Sequence, residues 1–99
     1  MPPKLIKTLK LIELHQNELK SCGVKRIGVF GSIAMGIATR SSDLDVLVEL
    51  KKKSFDSYMN VKHLLEDLTH CRIDLVLSSA IKAGLRKTIL KQVVYATGF

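Results

Sequence analysis

Short runs rich in β-branched residues alternate with segments of helical periodicity along this chain. The strand-like runs lie at 24–30, 44–50 and 72–77, and the segments around them repeat apolar residues every three or four positions. Strands that alternate with helices bury their apolar faces against those helices. We therefore predict an α/β (α+β) fold with the order α-β-α-β-α-β-α, in which helices pack on a small mixed β-sheet.

The predicted helices have recognisable ends. The first follows Pro2-Pro3 and ends near Cys22-Gly23, where glycine can adopt a left-handed cap. Ser54 is the expected N-cap of the third helix, which continues to Thr69. The second is short and covers 32–37. The last spans 85–96, with Leu85, Ile89, Leu90 and Val93 at helical spacing.

Size and charge narrow the range of roles. With 99 residues and 46% hydrophobic content, the chain is predicted to form a single domain, 1–99, with one modest core. That length leaves no room for a separate acceptor-binding domain, so a large acceptor must be another molecule. The formal net charge of +7 favours an anionic partner.

Cysteine usage and hydropathy predict the compartment. Cys22 and Cys71 lie far apart without a metal or redox spacing, and we expect both to be reduced thiols. Lys4, Lys7 and Lys10 interrupt the apolar residues of the N-terminal segment, and no run approaches the ~20 apolar residues of a membrane span. The sequence therefore predicts a cytoplasmic protein that does not engage a membrane.

Two aspartates open the second predicted strand. Residues two positions apart project from the same face of a strand, so Asp43 and Asp45 should point the same way, with Cα atoms about 6.6 Å apart. Two carboxylates at that distance repel by roughly 2 to 3 kcal/mol at an effective dielectric of about 20. A divalent cation relieves the repulsion, and hard carboxylate oxygens favour Mg²⁺ or Mn²⁺ over Zn²⁺.

A third acid, Asp74, lies inside the third predicted strand, where an acid is costly unless something compensates its charge. If that strand pairs with the strand of Asp45, the three aspartates can form one cluster. Simpler roles remain open at this point. Asp43 could cap the preceding loop, and Asp45 could be an exposed acid at a strand end. Asp74 could pair with Arg72 or Lys25.

The Gly31-Ser32 dipeptide follows the first predicted strand directly. Glycine lets a backbone approach a phosphate closely, and the free N–H groups at the start of a following helix favour anionic oxygens. Ser32 would add a hydroxyl donor. Such a turn is common by itself, and its value comes from the paired acids downstream.

These residues together resemble a family motif. Gly31-Ser32, the ten residues 33–42, Asp43-Leu44-Asp45 and the later Asp74 resemble the polymerase β-type nucleotidyltransferase superfamily, and the short chain resembles its minimal nucleotidyltransferase (MNT) branch. The resemblance covers nearly the whole chain. It implies that Asp43, Asp45 and Asp74 are catalytic and hold a pair of Mg²⁺ ions, with Asp74 also helping to activate the acceptor oxygen. It further implies that ATP phosphates are bound by Gly31, Ser32 and Ser42.

The resemblance also implies a partner. Many MNT proteins are antitoxins encoded beside a HEPN-type ribonuclease toxin, and they transfer AMP from ATP to a tyrosine hydroxyl of that toxin. By this resemblance the chain is a Mg²⁺-dependent protein adenylyltransferase that forms a hetero-oligomer with such a toxin. The alternative is a binding module that neutralises its partner by masking it, without catalysis. Transfer to a small antibiotic fits less well, because it usually needs an added domain.

One position departs from the family pattern. Family members commonly carry Gly-Ser-x-Ala-Arg-Gly, whereas this chain has Met35 at the arginine position. Methionine cannot make a charge-assisted bond to phosphate or brace an acid. Arg26 or Arg40 could supply the missing charge, and a reduced activity is one expected consequence.

The remaining polar residues give weaker signals. The lysines at 51–53 are typical of a solvated strand end, and the three histidines, His15, His63 and His70, lack a metal-ligand spacing. An aromatic content of 5% disfavours direct nucleic-acid binding through base stacking. Cations on the last predicted helix could serve a partner or a phosphate group; they are Lys82, Arg86, Lys87 and Lys91.

Overall fold

The computed structural model describes residues 1–39 and 41–99. Within them the chain forms a mixed sheet of three long strands and one short strand. The strands are β1 (Val24–Phe30), β2 (Leu44–Leu50), β3 (Ile73–Leu77) and β4 (Val94–Tyr95). They lie in the order β3-β2-β1-β4, with β2 and β3 parallel and the other neighbours antiparallel.

Helices connect and cover these strands. They are α1 (Pro3–Leu14), α2 (Gln16–Ser21), α3 (Gly31–Met35), α4 (Phe55–Thr69) and α5 (Ala83–Gln92), with a 3-10 turn at Ser78–Ala80. Ser54 caps α4 as predicted, because its hydroxyl accepts the backbone N–H of Ser57 at 3.1 Å. The prediction of a small mixed sheet with helices packed on it is confirmed.

No helix in the described part of the chain has the length and apolar character that crossing a membrane requires.

The core lies on one face of the sheet. Strand alternation directs Leu44, Val46 and Val48 of β2 into it, where each is at most 1% exposed. Apolar residues of the helices fill the same core; they include Leu5, Leu9, Ile12, Leu19, Val61 and Leu65. Burying each such side chain contributes roughly 1.5 to 3 kcal/mol. The same alternation leaves Asp45 and Glu49, both half-buried, on the opposite face.

The first predicted helix is divided in two. His15 leaves helical geometry, and its backbone N–H is shared between the carbonyls of Leu11 and Ile12, as is common where a helix ends. The change of direction lets Leu19 of α2 become fully buried. The second predicted helix is also displaced, because α3 begins at Gly31 and ends where Gly36 adopts a left-handed cap.

The last predicted helix is wrong at its C-terminal end. It stops at Gln92, and the next residues form β4, which pairs antiparallel with Gly28 and Val29 of β1. Local periodicity does not show this strand, because two residues count as a strand only when they pair with a distant neighbour. The element order thus gains a strand. Leu85 and Leu90 of α5 are 56% and 43% exposed, so they do not belong to the core.

Candidate functional site

Asp45 and Asp74 lie side by side on the open face of the sheet. They occupy equivalent second positions of the parallel strands β2 and β3, and the strand register pairs them directly. The two carboxyl groups are near enough for Asp74 to raise the pKa of Asp45. Asp45 is half-buried and Asp74 is exposed. Our expectation that Asp74 occupies a costly position inside the strand is therefore wrong, because its side chain is exposed.

The pKa of Asp45 is raised to about 6 from its usual 3.8. The largest cause is desolvation by burial, followed by the negative charge of Asp74 and its hydrogen bond. The charge of Asp43 adds a smaller effect in the same direction. All three predicted acids therefore interact electrostatically, and Asp45 lies at the centre of the group.

Gly31 lies against the Asp45 side chain. The residue before it, Phe30, is the register partner of Asp45 across the antiparallel β1–β2 pair. Gly31 has φ +72°, and a Cβ atom built on it would collide with the Asp45 carboxylate. Ser32 follows in the first turn of α3. The glycine bend and the central acid are thus in direct contact, and neither the backbone conformation nor the space admits a larger residue.

Asp43 lies just before β2, beside a polar hollow of about 350 Å³ that Ser42 also lines. Lys4, His70 and Arg72 also line the hollow. Lys4 and His70 had no predicted place beside the acids, and Arg72 was considered only as a partner of Asp74. Arg72 is held next to Asp43, because the backbone N–H of Leu44 donates to its carbonyl at 2.9 Å. Arg72 lies two residues before Asp74 in the sequence, and the pairing of β2 with β3 also brings it beside Asp43.

Ser42 has a bracing role within its loop. Its hydroxyl accepts the backbone N–H of Thr39 at 2.9 Å and lies 3.2 Å from the Thr39 hydroxyl. This arrangement holds the loop that leads into Asp43. A contact of Ser42 with nucleotide, as the sequence suggests, remains a prediction.

The donor set suits a hard divalent cation, since carboxylates supply oxygen ligands. Across 1–39 and 41–99, however, no three His, Cys, Asp or Glu side chains stand in an arrangement that could hold a metal ion. The donor chemistry of Asp43, Asp45 and Asp74 fits Mg²⁺, and holding the ion would require their side chains to rearrange.

The candidates for the missing family arginine do not all lie near the acids. Arg26 is opposite Glu49, four residues along β2 from Asp45, and its guanidinium stacks on the Tyr95 ring at 3.8 Å. Arg40 lies outside the described residues. Met35 is 55% exposed at the end of α3. Lys25 pairs with Glu49 at 3.4 Å, which removes one of the two alternative partners considered for Asp74.

Sequence comparison identifies related proteins. Residues 9–97 match the family described as Polymerase beta, Nucleotidyltransferase. The protein adenylyltransferase MntA of Thermococcus cleftensis is 40% identical over 87 residues, which cover 86% of this chain and 88% of that protein. A relative from Methanocaldococcus jannaschii, provisionally named as a protein adenylyltransferase, is 33% identical over 93% of this chain and 98% of its own length.

Structural comparison agrees with the sequence matches. A provisionally designated minimal nucleotidyltransferase superposes with a TM-score of 0.70 at 30% identity, covering 87% of this chain and 93% of that one. A toxin-antitoxin structure solved with AMP-PNP superposes with a TM-score of 0.69, covering 88% of this chain and 73% of that one. Its identity of 21% supports a shared fold only.

Proposed function

This chain belongs to the polymerase β nucleotidyltransferase family, and on that premise we propose that it transfers AMP from ATP to a tyrosine hydroxyl of a HEPN-type toxin, as that toxin's antitoxin. The observation that carries the proposal is the Asp45–Asp74 pair in contact with the Gly31 bend. Support for the acceptor comes from the relative named protein adenylyltransferase MntA and from the fold shared with a MntA–HepT toxin-antitoxin complex.

In this proposal the nucleotide lies along the open face of the sheet that carries Asp45 and Asp74, which we call the aspartate face. Asp43, Asp45 and Asp74 would hold Mg²⁺, which neutralises phosphate charge when bound. Gly31 and Ser32 would bind phosphate oxygens, with Ser42 supporting the same end of the site. The tyrosine oxygen attacks the α-phosphorus, the bond to pyrophosphate breaks, and Asp74 accepts the hydroxyl proton. Such a reaction depends mainly on positioning and electrostatics.

The partner would dock beside α5. Helix α3, which begins at Gly31, packs against α5, so α5 borders the aspartate face. Leu85 and Leu90 leave apolar surface exposed on α5, among the cations of the same helix. We propose that this surface is part of a hetero-oligomer interface. The two free cysteines and the use of ATP are in keeping with a cytoplasmic location.

The function is tested by labelled transfer. The chain is incubated with α-labelled ATP, Mg²⁺ and the protein encoded next to its gene. Label is expected on the neighbour, at tyrosine, and Asp43→Ala combined with Asp45→Ala should abolish it. Equal labelling by the wild type and the double variant would refute the catalytic role.

The exposed Met35 favours one alternative, a non-catalytic antitoxin that acts by masking. Toxin-expressing cells distinguish the two, because only a masking protein would rescue growth with both Asp43 and Asp45 replaced by alanine. Rescue without any label transfer would establish masking and exclude our proposal.

The rate of transfer should depend on pH around the pKa of Asp45. A protonated carboxyl binds a cation poorly, so the rate should rise as pH increases through about 6. Mg²⁺ competes with the proton, and raising its concentration should move the midpoint to lower pH. Rate profiles at two Mg²⁺ concentrations measure this shift. A midpoint that does not respond to Mg²⁺ would contradict the assignment of Asp45 as a metal ligand.

Replacing the exposed leucines of α5 should weaken the complex. With Leu85→Asp and Leu90→Asp combined, we expect the toxin to bind at least about tenfold more weakly, a change of about 1.4 kcal/mol. The melting temperature should change little, because both side chains are exposed. Leu14→Asp on α1, where the side chain is 77% exposed, is the control. Equal weakening by the control would locate the interface elsewhere.

A further inference from the structure

A second polar pocket lies at the opposite end of the sheet from the aspartates. It has a volume of about 430 Å³ and lies where β2 and β3 end and β1 begins. Its cations come from separate parts of the chain: Lys25 from β1, Lys51 and Lys53 from the segment after β2, and Arg86 from α5. Ser78 and Ser79 add hydroxyl groups to its lining. We call these six residues the basic pocket.

The charge of the basic pocket is strongly unbalanced. Glu49 is the acid that lines it, and it pairs with Lys25 at 3.4 Å. The side chains of Lys51 and Lys53 are exposed to solvent. Like charges brought into one concave site repel one another, and a multivalent anion relieves that repulsion. The pocket therefore suits a ligand that carries several negative charges close together.

Arg86 gives the pocket an oriented donor group. One guanidinium nitrogen donates to the Ser78 carbonyl at 3.1 Å, which holds the side chain at the rim. A guanidinium has five N–H donors in a planar fork that matches the oxygens of phosphate. Lysines then act as point charges, and serine hydroxyls donate to the same kind of oxygen. This combination of groups recognises phosphate better than it recognises a single carboxylate.

The basic pocket is separate from the aspartate site. Asp45 and Leu50 are five residues apart on β2, which corresponds to roughly 17 Å along an extended strand. Asp45 and Asp74 lie at one end of the β2–β3 pair, and Lys51 and Lys53 follow the other end of β2. A triphosphate bound among the aspartates would therefore not fill the basic pocket. A ligand there occupies a site of its own.

We propose that the basic pocket binds a compact anion with several phosphate groups, such as a polyphosphate or the phosphate chain of a free nucleotide. This inference does not depend on AMP transfer. It gives Lys51 and Lys53 a role in ligand binding, whereas the sequence alone described them as the solvated end of a strand. A nucleic-acid backbone presents the same phosphate chemistry, and the experiment below separates the two sources.

Calorimetric titration with sodium tripolyphosphate tests the proposal, with EDTA present so that no divalent cation bridges the anion to the aspartates. Lys51→Ala combined with Lys53→Ala removes two pocket charges, and Lys7→Ala combined with Lys10→Ala removes two exposed charges from α1. We expect the pocket variant to bind at least about tenfold more weakly and the α1 variant to stay within about twofold of wild type. Arg86→Ala should weaken binding as the pocket pair does.

Equal losses in the two double variants, or no saturable binding by wild type, would overturn the proposal, because diffuse attraction would then explain the charge. A hexaglutamate peptide that binds the pocket more tightly than tripolyphosphate would also overturn it.

A labelled single-stranded oligoribonucleotide identifies the source of the phosphate groups. If the oligoribonucleotide binds through the pocket, its log binding constant should fall less steeply with log salt concentration in the pocket variant. The slope should decrease by about 1.4, at ~0.7 for each lost phosphate contact. If only tripolyphosphate and ATP bind, the source is a free anion. Thermal melts verify that each variant is folded.

Discussion

Asp45→Asn should slow AMP transfer about 10³-fold and, at neutral pH, make the protein more stable. Asparagine is close in shape but uncharged, so it cannot supply the anionic oxygen that the proposed cation site needs. Losing several kcal/mol of charge stabilisation corresponds to about a 10³-fold slower reaction. The variant is more stable because it has no half-buried carboxylate at this position that must be ionised beside Asp74 and Asp43.

The stability gain should have a defined pH dependence. Folding raises the pKa of Asp45 from 3.8 to about 6, so the folded chain holds this proton more tightly than the unfolded chain does. The free energy of unfolding of the wild type therefore falls as pH rises from about 4 to 6. Above that range it is reduced by the full cost of ionising Asp45 in the folded chain. After allowance for solvent screening, we expect Asp45→Asn to be more stable by about 1 kcal/mol at pH 7.5 and equal to wild type near pH 4.

Melting temperatures across this pH range test the prediction, with Asp67→Asn as the control. Asp67 is an exposed acid of α4, and its replacement should stay within about 0.5 kcal/mol of wild type. Adding Mg²⁺ should stabilise the wild type and not Asp45→Asn. A variant that is less stable than wild type at pH 7.5 would contradict the electrostatic account of Asp45.

Gly31→Ala should damage both the fold and the site. Alanine at φ +72° costs about 1 to 2 kcal/mol, and its Cβ would press on the Asp45 carboxylate. Overpacking of this kind adds roughly 1 to 3 kcal/mol. We expect a total destabilisation of about 2 to 5 kcal/mol. Transfer activity should fall by more than the unfolded fraction explains, because the central acid is displaced.

Gly84→Ala is the matched control. Gly84 lies inside α5, with no atom within 4 Å of an added Cβ, and its backbone does not require glycine. Alanine there should stabilise the chain by about 0.5 to 1 kcal/mol through helix propensity. Urea unfolding and transfer rates at a temperature where both variants are folded measure the two effects. A fully active Gly31→Ala protein would show that the bend does not position Asp45.

The sequence alone was enough to predict elements whose signal is local. Strand β2 has the predicted bounds, because a seven-residue run with five apolar residues lies between a polar loop and a lysine run. Helix α4 begins after Ser54 and ends at Thr69 as expected, because its cap and its periodicity are both encoded within the segment. The spaced motif also indicated the family correctly.

Other features depend on neighbours that are far away in the chain. Strand β4 exists because Val94 and Tyr95 pair with β1, and a helical period continued through them in the sequence. The exposed surface of α5 could not be predicted, since amphipathic spacing does not show whether a facing element is present. The position of Arg72 beside Asp43 and the basic pocket were missed for the same reason, because the residues concerned converge only in the folded chain.

By itself the sequence determined the element types of the long segments, the acids available to the site and the glycine bend, because these depend on residue type and short-range spacing. Only the tertiary structure decided which acids meet. Parallel pairing of β2 with β3 places Asp45 beside Asp74, and antiparallel pairing with β1 brings Gly31 to the same carboxylate. Strand register arises from the packing of whole faces, and a shift of one residue would have turned Asp45 into the core.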